Sequence, residues 1–180
     1  DVHLGAEPDA GSSYTAKRPE ELWNSFERLL NICEEEQTDL LLIAGDLFHR
    51  QPLLRELKEL DYLFSRLTHT QVVLMAGNHD YLKSTSYYRN YKWQGPVHMF
   101  LSQKPACMEF KELGVRIYGL SYEEREITET LYEKILPEKR GYTDSHPPPP
   151  TRIGHRDGQR VLTNRFCSID TRRSGAFRHW

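Results

Sequence analysis

Six residues of this chain could do chemistry together: Asp1, His3, Asp46, Asn78, His79 and Asp80. Carboxylate, amide and imidazole groups are ligands of divalent cations. The oxygen-rich mix suits Mn²⁺ and Fe²⁺ ahead of Zn²⁺. Asp46 can bridge two cations, because each of its oxygens can take one. Asn78 can add a neutral amide oxygen to the second. His79 stands beside Asn78 and need not ligate. Two cations about 3.5–4 Å apart clamp a phosphate and lower the pKa of a bound water, which then attacks in line. A protonated His79 could stabilise the developing charge or protonate the leaving oxygen.

These residues need elements that bring them together. Val72 to Ala76 is an apolar run ending in Gly77, which reads as a buried strand delivering Asn78, His79 and Asp80 at its end. Leu40 to Ala44 is a second such run, and it ends in Gly45-Asp46-Leu47-Phe48-His49. Between them a helix is predicted from about Leu53 to Leu67, with Leu54, Leu57, Leu60, Phe64 and Leu67 on one side. Strand, helix and strand form a βαβ unit with a right-handed crossover, so the strands lie parallel and both polar clusters reach one sheet edge. Ligands bind at that edge of α/β sheets. Singly, each residue has a plainer role: Gly77-Asn78 as a turn, Asp46 as a helix cap, Asp1 and His3 as a solvated terminus.

Around this unit the pattern predicts a helix from Pro19 to about Glu36, carrying Leu22, Phe26, Leu29, Leu30 and Cys33, widened by Trp23 and Ile32. Glu34, Glu35 and Glu36 read as a solvated face. Residues 81–96 interleave Tyr81, Tyr87, Tyr88, Tyr91 and Trp93 with Lys83, Arg89 and Lys92. Such a segment either packs or stacks nucleic-acid bases, and packing is the commoner use. Val97 to Phe100 is a short strand. Ala106–Phe110 and Val115–Leu120 form a hairpin, and a helix is expected from about Glu126 to Ile135. From residue 141 the character changes: Lys and Glu vanish, Pro147 to Pro150 form a run, and apolar periodicity fades. Residues 1–140 therefore form one domain, and 141–180 a Pro- and Arg-rich tail, poorly ordered or out of frame. The chain opens on Asp1 with no strand ahead of Val2-His3-Leu4-Gly5 to hold them.

The bulk numbers narrow the class. With 180 residues and a mean hydropathy of −0.70, the chain has room for one domain with a real core. No stretch approaches a transmembrane length. Cys33, Cys107 and Cys167 are far apart and odd in number, which fits a reducing, cytoplasmic setting and small buried side chains rather than a disulfide framework. Residues 1–140 hold 17 Lys and Arg against 23 Asp and Glu. A body this acidic is expected to meet nucleic acid through a local patch, a partner subunit, or sequence not present here.

In order and spacing, Asp1-x-His3, Gly45-Asp46 and Gly77-Asn78-His79-Asp80 resemble the first three motifs of the calcineurin-like metallophosphoesterases. Gly45-Asp46-Leu47-Phe48-His49, with Tyr, Trp and Val97-His98-Met99-Phe100 further on, looks like the SbcD-type DNA repair exonucleases, including their YhaO-like branch. The resemblance extends more loosely to about Pro137. It implies an α/β fold, a β-sandwich flanked by helices, with a two-metal site holding Mn²⁺. Asp1 and His3 would bind the first metal, Asp46 would bridge, and Asn78 would bind the second. His79 would act on the transition state, with Asp80 orienting it. The implied activity is metal-dependent phosphodiester hydrolysis on DNA in repair, commonly with an SbcC-type ATPase partner; a homodimer is compatible. The rivals are the same chemistry on a small or protein phosphoester, and an inactive scaffold. The family's later His and Gly-His-x-His do not appear after Pro137; Gly154-His155-Arg156-Asp157 is a partial echo, and His146 sits beside the proline run. The fold is thus expected to lack its first strand and its C-terminal metal-ligand strands.

Overall fold

The two apolar runs become the centre of a parallel sheet. The computed structural model describes residues 1–7, 11, 17–128 and 131, and the backbone of 168–171. Its elements, in order, are α1 (Arg18–Glu35), β1 (Leu40–Ala44), α2 (Leu54–Ser65), β2 (Gln71–Met75), a 3₁₀ turn at Tyr87–Arg89, β3 (Val97–Met99), β4 (Ala106–Phe110), β5 (Val115–Gly119) and β6 (Ser168–Thr171). β1, β2 and β3 form one sheet in that order, with both pairings parallel. The hairpin β4–β5 and β6 form a second, antiparallel sheet.

Strand alternation explains the layering. Side chains two apart share a face. Leu41 and Ile43 of β1, with Val72 and Leu74 of β2, join Phe26 and Leu30 of α1 and Leu57, Leu60 and Phe64 of α2 in one cluster. Leu40 and Leu42, with Val73 and Met75, pack instead against Phe100, Met108, Phe110, Val115 and Ile117. The parallel sheet is therefore covered on both faces, which is why its strands read as unbroken apolar runs. Each Leu or Phe fully buried in these layers contributes about 1.5–3 kcal/mol.

Several expectations shift in detail. Leu29, Ile32 and Leu54 are 41%, 53% and 41% exposed. The buried stripe of α1 is narrower than expected and runs through Phe26, Leu30 and Cys33. At about 100° per residue, Leu29 and Ile32 fall on the neighbouring face. Cys33 is buried, whereas Cys107 is exposed on β4. Residues 126–128 are irregular rather than the start of a helix, and most of the remainder of that expected helix lies outside the described residues. So do His146, the proline run and Gly154-His155-Arg156-Asp157. Within the expected tail, Ser168–Thr171 pairs with Val115–Tyr118 of β5.

The N-terminal residues are held, contrary to expectation. Val2 and His3 donate their N–H groups to the Asp46 carbonyl, Leu4 donates to Leu47, and His49 donates to Leu4, at 2.8–3.0 Å. Leu4 bridges Phe48 in parallel and is fully buried. Among the described residues, no helix is long and apolar enough to cross a membrane.

The Tyr-rich segment is mostly packing. Tyr88 is 1% exposed. Asp61 of α2 accepts the Tyr91 hydroxyl and the N–H groups of Gln94 and Gly95. This ties the crossover between β2 and β3 to the helix. Burial and the bond to Asp61 push the Tyr91 hydroxyl up to about 12. Tyr87 stays half exposed.

Candidate metal centre

The site starts where β1 and β2 end. Past Ala44 the backbone passes through Gly45 at φ 97° and Asp46 at φ 48°, two left-handed residues in succession. Asp tolerates that region better than most side chains do. The turn leaves Asp46 only 7% exposed, facing the end of β2. Gly77 makes the contact possible: a Cβ there would stand 2.2 Å from Asp46 Oδ1. Asp46 Oδ1 accepts the His79 backbone N–H at 2.9 Å. The Asp46 carbonyl holds Val2 and His3, and His3 too is left-handed, at φ 56°.

The outcome is a convergence of three rings. His3, His49 and His79 place a ring nitrogen each within 4.8 Å of one another. His49 Nδ1 is 3.4 Å from His3 Nδ1. The His49 and His79 rings stack at a centroid distance of 4.9 Å, and His3 meets His79 edge-on at 4.8 Å. His3 titrates below its ordinary value because burial disfavours the imidazolium and His79 and His49 add to this, against the opposing charge of Asp46. A ring kept neutral offers a lone pair, as a metal ligand must.

Asp80 departs from its expected role. Its fully buried carboxylate accepts the Gly77 N–H at 2.7 Å, the Phe48 N–H at 3.2 Å and the Tyr88 hydroxyl at 3.1 Å. It thereby ties the two turns together. Burial pushes it up to about 6 despite these donors. The His79 ring is oriented by another group: His79 Nδ1 lies 2.9 Å from the His49 carbonyl oxygen. Nδ1–H donates to that oxygen, which leaves the lone pair on Nε2.

Of the residues expected from sequence, the structure brings His3, Asp46 and His79 together. Asp1 is exposed and Asn78 half-buried. The backbone places them beside Val2 and His79. Among the described residues neither their carboxylate nor their amide has a hydrogen-bond partner. His49 was not assigned from sequence. Its signal was present: it stands three residues beyond Asp46, in the same polar cluster after β1. The donor set fits a divalent cation, since three imidazoles converge beside the buried Asp46 carboxylate, which holds the His79 backbone N–H.

The layered fold and this edge define a metallophosphoesterase. The calcineurin-like phosphoesterase family model matches residues 1–170, and the chain belongs to that family of metal-dependent hydrolases. The match continues past Pro137 into the segment read as a tail. The chain is 32% identical over 142 residues to the uncharacterized metallophosphoesterase YhaO of Bacillus subtilis (strain 168), covering 72% of this chain and 34% of that protein. It is 36% identical over 83 residues to the DNA double-strand break repair protein Mre11 of Aeropyrum pernix, covering 44% of this chain and 19% of that protein. It thus spans about a third or less of the length of these curated relatives.

Proposed function

We propose that this chain carries the N-terminal half of a two-metal phosphodiesterase site that acts on DNA. The observation that carries this reading is the meeting of Asp46, His3 and His79 at the C-terminal edge of a parallel sheet. Asp1 and His3 would hold one cation, Asn78 the other, and Asp46 both. Mn²⁺ is the proposed metal, and bound there it would activate water and neutralise phosphate charge. His79 acts through Nε2, because the His49 carbonyl occupies Nδ1. In the imidazolium form Nε2–H donates to a phosphate oxygen or to the leaving oxygen. Asp80 positions the site through the backbone of Gly77 and Phe48.

DNA as substrate is supported by the Mre11 relative, whose name is that of a DNA break repair protein. An SbcC-type ATPase, a homodimer and a cytoplasmic setting belong to the same proposal. The acidic body makes a partner the natural source of positive charge for DNA. The experiment supplies Mn²⁺ to an intact-length version of the protein, in which this chain is the N-terminal part, and follows cleavage of duplex DNA and of a chromogenic phosphodiester. Both should be hydrolysed, and Asp46→Asn and His79→Gln should each lose at least about 100-fold in kcat. Full activity in both variants sinks the two-metal assignment. Cleavage of the small ester without any cleavage of DNA removes the nuclease reading and leaves a small-phosphoester enzyme.

A further inference from the structure

Three imidazoles meet where the proposed hydrolysis uses only His3 as a ligand and His79 as an acid. They come from three separate turns, and their ring nitrogens lie within 4.8 Å of one another. His3 Nδ1 and His49 Nδ1 stand 3.4 Å apart. Two neutral rings facing each other through like nitrogens can be joined by one shared proton or by a cation, since at most one of them donates to the other. Around a tetrahedral ion with metal–nitrogen bonds of about 2.0–2.1 Å, neighbouring nitrogens stand about 3.3–3.4 Å apart. The His3–His49 pair already has that spacing. His79 offers Nε2, its Nδ1 being tied to the His49 carbonyl. His49 is exposed and His79 half-buried, so the third ring can close by side-chain rotation.

We propose that His3, His49 and His79 form a three-imidazole site for one borderline divalent cation of the Zn²⁺ type. It shares His3 with the first of the cation sites proposed above, and otherwise differs in composition from that oxygen-rich pair, which Asp1, Asp46 and Asn78 would serve. Imidazole selects Zn²⁺, Cu²⁺ or Ni²⁺ over Mn²⁺, whereas carboxylate and amide oxygens do the reverse. Three protein ligands with a fourth, open position are a common tetrahedral arrangement. Such an ion engages the His79 Nε2 that the hydrolytic step needs. Zn²⁺ therefore opposes Mn²⁺-supported cleavage, a consequence that rests on the role given to His79 above.

The test uses Co²⁺ as a spectroscopic stand-in for Zn²⁺ and needs no turnover. The protein should bind one Co²⁺ with the intense visible bands of tetrahedral coordination, and one equivalent of Zn²⁺ should bleach them. His49→Gln and His79→Gln, checked for folding by circular dichroism, should each weaken binding by more than about tenfold, since even outer partners of a metal cost that much. His98→Gln, at an exposed histidine of β3 that pairs with Gln71, should leave the spectrum unchanged. His49→Cys should retain the ion and add a thiolate charge-transfer band, a gain that misfolding cannot mimic. A pale octahedral spectrum overturns the proposal. Binding that survives His49→Gln and His79→Gln also overturns it. These readings stand whether or not DNA is cleaved, and failure of the hydrolysis assay does not touch them.

Discussion

Gly77 and Asp46 are in contact so close that a methyl group at Gly77 would overlap both Asp46 Oδ1, at 2.2 Å, and the Asp46 backbone nitrogen, at 2.5 Å. The obstacle is space, and part of it is backbone that cannot rotate away. Gly77→Ala should push the turns after β1 and β2 apart and lose about 1–3 kcal/mol, as overpacked sites do. Thermal unfolding measures the loss. Mn²⁺ titration of the same variant should show weakened binding, because Asp46 is what the methyl displaces. An unchanged midpoint would mean that the turns are not in contact.

The Asp80–Tyr88 pair should matter for stability in a graded way. Tyr88→Phe removes one of three donors to the buried Asp80 carboxylate and should lose about 1 kcal/mol. Asp80→Asn is worse. Its NH₂ group must face either the Gly77 N–H or the Phe48 N–H and Tyr88 hydroxyl, which leaves buried donors opposed and costs about 1–3 kcal/mol. Urea unfolding of the two variants should rank them in that order. The reverse order would show that Asp80 is not the group tying the turns together.

Ser121 joins the two sheets behind the site. Its hydroxyl accepts the Ala76 N–H at 2.8 Å and donates to the Phe100 carbonyl, at the ends of β2 and β3. The side chain is fully buried. Ser121→Ala leaves both backbone groups without that partner, and a loss of about 1–3 kcal/mol is expected. Hydrogen exchange should show the Ala76 amide opening more often in this variant. Unchanged protection there would count against the bond.

Glu56 gives a pH signature of its own. Burial pushes its carboxyl up, but the bonds from Arg50 and the Leu53 N–H, with the charges of Arg50 and Arg55, outweigh it and hold the group below its ordinary 4.5. A carboxylate with a lowered folded pKa stabilises above the unfolded pKa and loses that contribution as pH falls through the folded one. Glu56→Gln should therefore be about 1–2 kcal/mol less stable at pH 7. The gap should shrink toward zero below about pH 4. A gap independent of pH would mean that packing, not charge, is what glutamine disturbs.

The strands, the two helices and the positions of Asp46, Asn78 and His79 were legible because burial has a local signature. Leu40–Ala44 and Val72–Met75 are apolar at every position, since both faces of their sheet are covered. A polar residue directly after such a run must emerge at the strand's end. The Tyr-rich segment was ambiguous for the same reason turned round. Alternating aromatic and charged residues report a surface but not its occupant, and here Asp61, distant in sequence, decides for packing.

The amino-acid sequence by itself determined the family, the βαβ unit and the three turns that carry the candidate ligands, because periodicity and motif spacing are properties of neighbouring residues. Only the tertiary structure decided how the side chains face. It brought His49 to His3, gave His79 a carbonyl rather than Asp80 as its support, and seated Leu4 beside Phe48. Each of these follows from left-handed torsions at His3 and Asp46 and from a contact at Gly77 that admits no Cβ. Such torsions leave no period in a sequence. They are settled when two strand ends from distant parts of the chain are packed against each other.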